Sequence, residues 1–116
     1  MVGRIFALAV GLMTSASALG STVPDPLDPV QAQITYKACI RSGSRHFENA
    51  KLDPAEIVTV AEAACRLEYL NLQRAADRQP DWSPTRRVAY VLATVRLVRS
   101  LTIERIKVLR ALPPSN

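Results

Sequence analysis

The chain has 116 residues, 48% of them hydrophobic and 22% charged, and its 15 basic and 10 acidic residues give a net charge of +5. This length and composition exclude a multidomain enzyme, a collagen-like or low-complexity protein and a protein with many membrane spans. They leave one small globular domain.

The N-terminus has the pattern of a secretory signal peptide over residues 1–20, with a basic residue, an apolar stretch at 5–13 and then small residues. Cleavage is expected after Ala18 or after Gly20. The apolar stretch is shorter than the roughly 20 residues that cross a bilayer, which favours a cleaved signal over an uncleaved anchor. Ser21 stands where a lipoprotein would carry cysteine, so lipid attachment is disfavoured. We expect a periplasmic or secreted protein with no transmembrane span after cleavage.

The two cysteines, Cys39 and Cys65, both lie outside this signal. An even number of cysteines in an oxidising compartment predicts a disulfide bond. Position 52, midway between them, falls in a predicted turn, so an antiparallel helical hairpin would place the two at the same height and satisfy the Cα–Cα limit of about 7 Å. A reactive or metal-binding thiol pair is the less favoured alternative, because the chain has one histidine and no carboxylate cluster at ligand spacing. No metal or cofactor is expected.

The mature chain is predicted to be all-α. An extended lead at 21–28 precedes a three-helix domain at 29–112, and residues 113–116 form a C-terminal tail. Each predicted helix has a capping residue followed by proline, which is typical of a helix start. The three predicted helices run from Pro29 to about 45, from Pro54 to about 76 and from Pro84 to Ala111. The β-branched run at 88–98 keeps a strand open as an alternative for part of the third.

Apolar residues recur along the first two predicted helices at the spacing of a buried face. In the first, this face consists of Ala32, Tyr36, Cys39, Ile40, Gly43 and Phe47. In the second, it consists of Ile57, Ala61, Ala64, Cys65, Leu72 and Ala75, with Glu68 on the same side. A buried carboxylate there is expected to pair with a basic residue.

Positive charge is concentrated in the third predicted helix. From residue 82 onward there are seven basic residues and one acidic residue, whereas residues 19–81 carry seven basic and nine acidic residues. Four cations of this helix share one stripe on a 3.6-residue wheel, namely Arg96, Arg99, Lys107 and Arg110. Beside them lies a broad apolar arc that includes Leu97, Leu101, Val108 and Leu112 and is interrupted at Arg87 and Arg105. The cations form either a solvated face that pairs with the acidic hairpin or a binding surface for an anionic partner.

Catalytic motifs are nearly absent. The chain has no G-x-S-x-G sequence, no glycine-rich phosphate loop and no H-E-x-x-H sequence. His46 is the single histidine and is expected to be exposed or to cap a helix. Trp82 is expected to cover one end of the core. Catalysis would require a cleft that gathers Glu68, His46 or Tyr69.

The residues Tyr36-x-x-Cys39 and, one hairpin later, Ala64-Cys65-Arg66 resemble small exported two-cysteine helical bacterial proteins of uncharacterised function. The resemblance covers residues 36–69 and implies a disulfide-linked helical hairpin, with no activity or site residues. Periplasmic acid-stress chaperones share the small size, the helical content and the single disulfide.

These observations predict a non-enzymatic exported binding or stress-related protein that uses the basic third helix to bind an anionic envelope component or a protein partner. The alternative is an accessory subunit of a cell-envelope enzyme or complex. The apolar arc could also bury against a second copy of the chain. Export makes a nucleic-acid partner improbable.

Overall fold

The computed structural model of the protein describes residues 28–113, which form four α-helices. They are α1 (Pro29–Phe47), α2 (Pro54–Ala64), α3 (Arg66–Asp77) and α4 (Pro84–Ala111). Residues 28–113 contain no strand, so the all-α prediction is confirmed and the strand alternative for 88–98 is wrong. The predicted signal peptide, nearly all of the extended lead and residues 114–116 lie outside the described residues.

The three predicted helix starts are confirmed, each with its capping side chain in place. The Asp28 carboxylate accepts a hydrogen bond from the Val30 amide at 3.0 Å, and the Asp53 carboxylate accepts one from the Ala55 amide at 3.3 Å. The Ser83 hydroxyl accepts one from the Arg86 amide at 3.1 Å. These bonds satisfy amides that have no partner within the helix, and a proline follows each cap in the first turn.

The second predicted helix is wrong in one respect, because it is two helices. The chain breaks at Cys65, whose φ of −99° and ψ of 27° lie outside the helical range and whose amide donates to both the Ala61 and Glu62 carbonyls. The domain therefore has four helices and not three. The predicted buried face assumed one continuous axis and misplaced Ala64, which is exposed at the end of α2.

The break lies where the disulfide joins this part of the chain to α1. Cys39 and Cys65 are bonded, with their Cα atoms 6.0 Å apart, so the predicted disulfide is confirmed. One helical turn away from the disulfide, Gly43 faces Ala61, and a Cβ atom added at Gly43 would lie only 3.2 Å from the Ala61 Cβ. Glycine thus allows α1 and α2 to approach closely beside the covalent link.

Contacts along its whole length position α4 against the rest of the domain. Near its start, the Tyr90 hydroxyl donates to the Pro29 carbonyl at the beginning of α1. In the middle, Arg99 binds Glu62 of α2, and near the end Arg110 binds the segment that joins α1 to α2. The core between the helices consists of two clusters, a larger one that includes the disulfide and a smaller one made of Ile57, Val58 and Ile106.

The buried side of α4 contains two threonines among its apolar residues. Thr94 and Thr102 are buried together with Val91, Val98 and Ile106, and the Thr102 hydroxyl donates to the Val98 carbonyl at 2.7 Å. That internal bond satisfies the hydroxyl without a partner from another helix. The bulky apolar residues of the predicted arc instead remain largely exposed, namely Leu97, Leu101, Val108, Leu109 and Leu112.

Candidate functional site

Two of the four cations predicted to bind an anionic partner make contacts within the chain. Arg99 forms an ion pair with Glu62, and its guanidinium also lies 3.3 Å from the Thr59 hydroxyl. Arg110 donates to the carbonyls of Leu52 at 2.6 Å and Ala50 at 2.8 Å. These contacts fasten α4 to α2 and to the α1–α2 segment, as expected if the cations pair with the preceding helices.

The other two cations of the predicted stripe point into solvent. Arg96 is exposed, and the exposed Lys107 makes only a local pair with Glu104 one turn earlier, at 3.4 Å. Such a pair contributes little in water. The four cations therefore divide into two that hold the fold together and two that are accessible, and their role in binding an anionic partner remains a prediction.

A second row of cations lies on α1. Lys37, Arg41 and Arg45 are spaced four residues apart, so they lie along one side of the helix, and all three are exposed. Together with Ile34, Ala38 and Ser42 they line an open hollow of about 390 Å³. Among residues 28–113 no acidic residue lines this hollow, and Ile34 is 55% exposed at its apolar end. The surface is therefore both cationic and apolar.

This α1 surface continues into a narrow cleft against α4. Lys37 and Arg41 form one wall of the cleft, which has a volume of about 40 Å³. Arg105 projects from α4 into the same lining, alongside Val98, Leu101 and Thr102. Three cationic side chains from two helices therefore line one small space. We call the cleft and the adjoining hollow the α1–α4 basic groove.

Within the groove, Arg105 is only partly neutralised. Its Nη2 atom lies 3.9 Å from Glu48 Oε2, which is close enough for an ion pair but too long for a hydrogen bond. Among the protein atoms, both Glu48 Oε2 and Arg105 Nη1 are buried and have no hydrogen-bond partner. A buried donor without a partner costs about 1–3 kcal/mol, so the position of Arg105 is unfavourable for folding.

Glu68 lies beside the disulfide and, contrary to the prediction, forms no ion pair with any basic residue between residues 28 and 113. One of its carboxylate oxygens lies within 4.8 Å of both cysteine sulfurs, and its Oε2 atom is buried with no hydrogen-bond partner. The expected ion pair is therefore wrong. Three potential metal ligands meet here, but two of them are sulfurs bonded to each other and hence are not thiolates. The oxidised cluster does not fit a metal.

The remaining residues singled out in the sequence have structural surroundings. Trp82 packs on the larger core cluster, 5.0 Å from the Tyr90 ring between centroids, and Arg86 lies over its indole ring. Trp82 thus covers one end of the core, as predicted. His46 is exposed, with its ring at a right angle to that of Phe47.

The α1–α4 basic groove is not among the features predicted from the sequence. In the sequence the α1 cations belong to a segment with more acidic than basic residues, and Arg105 interrupts an apolar arc. The spacing of Lys37, Arg41 and Arg45 was a usable signal, because positions four apart on a helix lie on one side. The proximity of Lys37 and Arg41 to Arg105, more than 60 residues later, required the tertiary structure.

Comparisons of the chain with protein-family models, with curated proteins and with solved structures gave no match. None of the helices between residues 28 and 113 combines the length and the apolarity needed to cross a lipid bilayer. The chemistry of the basic groove is therefore the basis for a functional assignment.

Proposed function

We propose that the protein is an exported, non-enzymatic binding protein whose α1–α4 basic groove binds an anionic component of the cell envelope. The observation that carries the proposal is the exposed row of Lys37, Arg41 and Arg45. In the described part of the chain, the hollow that they line contains no acidic residue and is flanked by exposed apolar side chains. Arg96 and Lys107 add exposed positive charge on α4.

Export is part of the proposal and rests on two features. Residues 1–20 have the signal-peptide pattern, and the described structure contains a disulfide between Cys39 and Cys65. Disulfides persist in oxidising compartments such as the periplasm. The pairs Cys39–Cys65 and Tyr36–Tyr69 support an antiparallel helical hairpin as the scaffold. The residue that comes earlier in α1, Tyr36, lies beside the residue that comes later in the second arm, Tyr69, as antiparallel helices require.

An anionic membrane surface is the partner that best matches this mixture of side chains. Cations attract the headgroups, while apolar side chains such as Ile34 and Leu101, which is 50% exposed, enter the boundary of the acyl chains. Each Lys or Arg near an anionic membrane contributes about 1 kcal/mol of attraction, which falls off within a Debye length. Several cations on one surface are therefore needed, and α1 supplies three.

The test is co-sedimentation of the signal-free protein with phosphatidylglycerol vesicles and with neutral phosphatidylcholine vesicles. We expect binding only to the anionic vesicles, weakened by added salt. The variant Lys37→Gln/Arg41→Gln/Arg45→Gln should bind more than tenfold more weakly. The control Arg66→Gln/Arg74→Gln/Arg78→Gln removes the same charge from α3 and should bind nearly as well as the wild type.

Equal weakening in both triple variants would mean that net charge alone drives binding and that the α1 surface has no special role. Absence of wild-type binding to anionic vesicles would refute the membrane partner.

The second candidate is an accessory subunit of an envelope complex, which the exposed apolar residues of α4 favour. Leu97, Leu101 and Val108 are each at least half exposed, as expected of a surface that buries against another protein. In that case the protein would co-purify with a defined partner at fixed stoichiometry and remain bound at high salt, whereas membrane attraction through cations would be lost.

A further inference from the structure

The narrow cleft of the basic groove brings like charges together at a cost. Lys37, Arg41 and Arg105 line a space of about 40 Å³, comparable with the volume of one water molecule, and mutual repulsion disfavours this arrangement. Glu48 offsets part of the charge of Arg105, but at 3.9 Å it accepts no hydrogen bond from that side chain. Among the described residues, Arg105 is therefore the one cation of the three that has a carboxylate oxygen within 4 Å.

The guanidinium and ammonium groups that line the cleft indicate which kind of ligand would relieve this cost. Arg105 Nη1 is itself buried, so a ligand in the cleft would meet the other N–H groups of this side chain, which is 27% exposed. A guanidinium presents its N–H groups in a planar fork that matches the oxygens of a phosphate, and an ammonium group adds a further donor. Together, two guanidinium groups and one ammonium group suit a group with three or four oxygens better than a carboxylate, which has two.

We propose that Lys37, Arg41 and Arg105 bind a phosphate group at the mouth of this cleft. This inference rests on the proposed function and specifies the ligand chemistry of the same groove. The cleft itself has room for about one phosphate oxygen, and the rest of the phosphate and of a larger ligand lies in the 390 Å³ hollow, which shares Lys37 and Arg41 with the cleft. The phosphate belongs either to a lipid headgroup or to a soluble molecule.

The soluble arm of the test is calorimetric titration of the protein with inorganic phosphate at constant ionic strength, with chloride as the replaced ion. We expect Arg105→Gln and Lys37→Gln each to weaken phosphate binding about tenfold. Arg105→Lys, which keeps the charge but loses the guanidinium fork, should weaken it several-fold. Arg74→Gln is the control, because Arg74 is exposed on α3 and does not line the groove; its affinity should stay within twofold of the wild type.

Lys37→Gln keeps the test independent of folding, because Lys37 is exposed and lies outside the core. Circular dichroism and thermal unfolding establish that each variant is folded before titration. No phosphate binding by the wild type, or equal weakening by Arg74→Gln and the cleft variants, would overturn the proposal.

The lipid arm uses the same variants with phosphatidylglycerol vesicles and separates the two proposals. If the wild type binds vesicles and Arg105→Gln binds them as well as Arg74→Gln does, a lipid headgroup is excluded as the ligand of the cleft while the proposed function stands. If phosphate binds in the cleft but vesicles do not bind the wild type, the cleft proposal stands with a soluble phosphate as ligand, and the membrane partner is refuted.

Discussion

Tyr36 carries a phenol group that folding removes from water. The residue is 2% exposed and packs in the larger core cluster, with its ring 6.5 Å from that of Tyr69 between centroids. Burial raises the pKa of Tyr36 from 10.0 to about 12, because the charged phenolate loses its hydration, and the nearby Glu62 carboxylate adds to the effect. Folding is therefore linked to the protonation of this one hydroxyl.

The sign of this linkage gives a test at alkaline pH. Between pH 10 and pH 12 the unfolded chain releases the Tyr36 proton while the folded chain retains it, so the free energy of unfolding falls as the pH rises. Since one pKa unit corresponds to 1.36 kcal/mol, the loss over this range is about 2 to 3 kcal/mol. In Tyr36→Phe we expect a shallower fall, measured by urea unfolding at several pH values.

Comparison of the two proteins isolates Tyr36, because the lysines titrate in both. Parallel curves for the wild type and Tyr36→Phe would show that the Tyr36 hydroxyl titrates alike in the folded and unfolded states.

At the level of helices, local sequence signals are sufficient to predict where the helices start. No such signal predicts the break between α2 and α3. Asp28, Asp53 and Ser83 cap their helices through bonds to amides two or three residues ahead, so each cap is encoded within a few residues. The break at Cys65 has no such code, because residues 61–68 contain neither glycine nor proline. It coincides instead with the covalent link to α1, which no helix wheel represents.

The disulfide between α1 and the α2–α3 break should supply a large part of the stability. Closing the unfolded chain over a sequence separation of 26 residues corresponds to about 3 to 4 kcal/mol on the chain-entropy model. We expect Cys39→Ala/Cys65→Ala to lose about this amount in urea unfolding.

The wild type unfolded with a reductant present should behave as the double variant does. A loss below about 1 kcal/mol in both would mean that the link does not restrict the unfolded chain.

At the scale of the whole molecule, the arrangement of α4 decides which charges are accessible. The wheel correctly placed Arg96, Arg99, Lys107 and Arg110 on one side of a helix, but it contains no information on which part of that side meets α2. In the structure, Arg99 pairs with Glu62 and Arg110 binds the Leu52 carbonyl, whereas the side chains of Arg96 and Lys107 are exposed to solvent. The basic groove could not be predicted from helix wheels either, because it forms only where α1 and α4 lie side by side.

The division of the core into two clusters predicts that the two halves of α4 differ in stability. Its first half packs on the larger cluster through Val91 and Val98, whereas its second half depends on Ile106, which is fully buried against Ile57 and Val58 of α2. Removing the Ile106 side chain would leave a cavity in a cluster of only three buried residues. We therefore expect Ile106→Ala to lose about 2 to 4 kcal/mol in urea unfolding.

Native-state hydrogen exchange of Ile106→Ala measures where that loss falls. Amides at 103–111 should exchange much faster than in the wild type, while those at 91–98 keep most of their protection, because the larger cluster and the disulfide still hold them. Val108→Ala is the control, since Val108 is 59% exposed and its truncation should change stability by less than about 0.5 kcal/mol. Equal acceleration along the whole of α4 would show that the two clusters open as one unit.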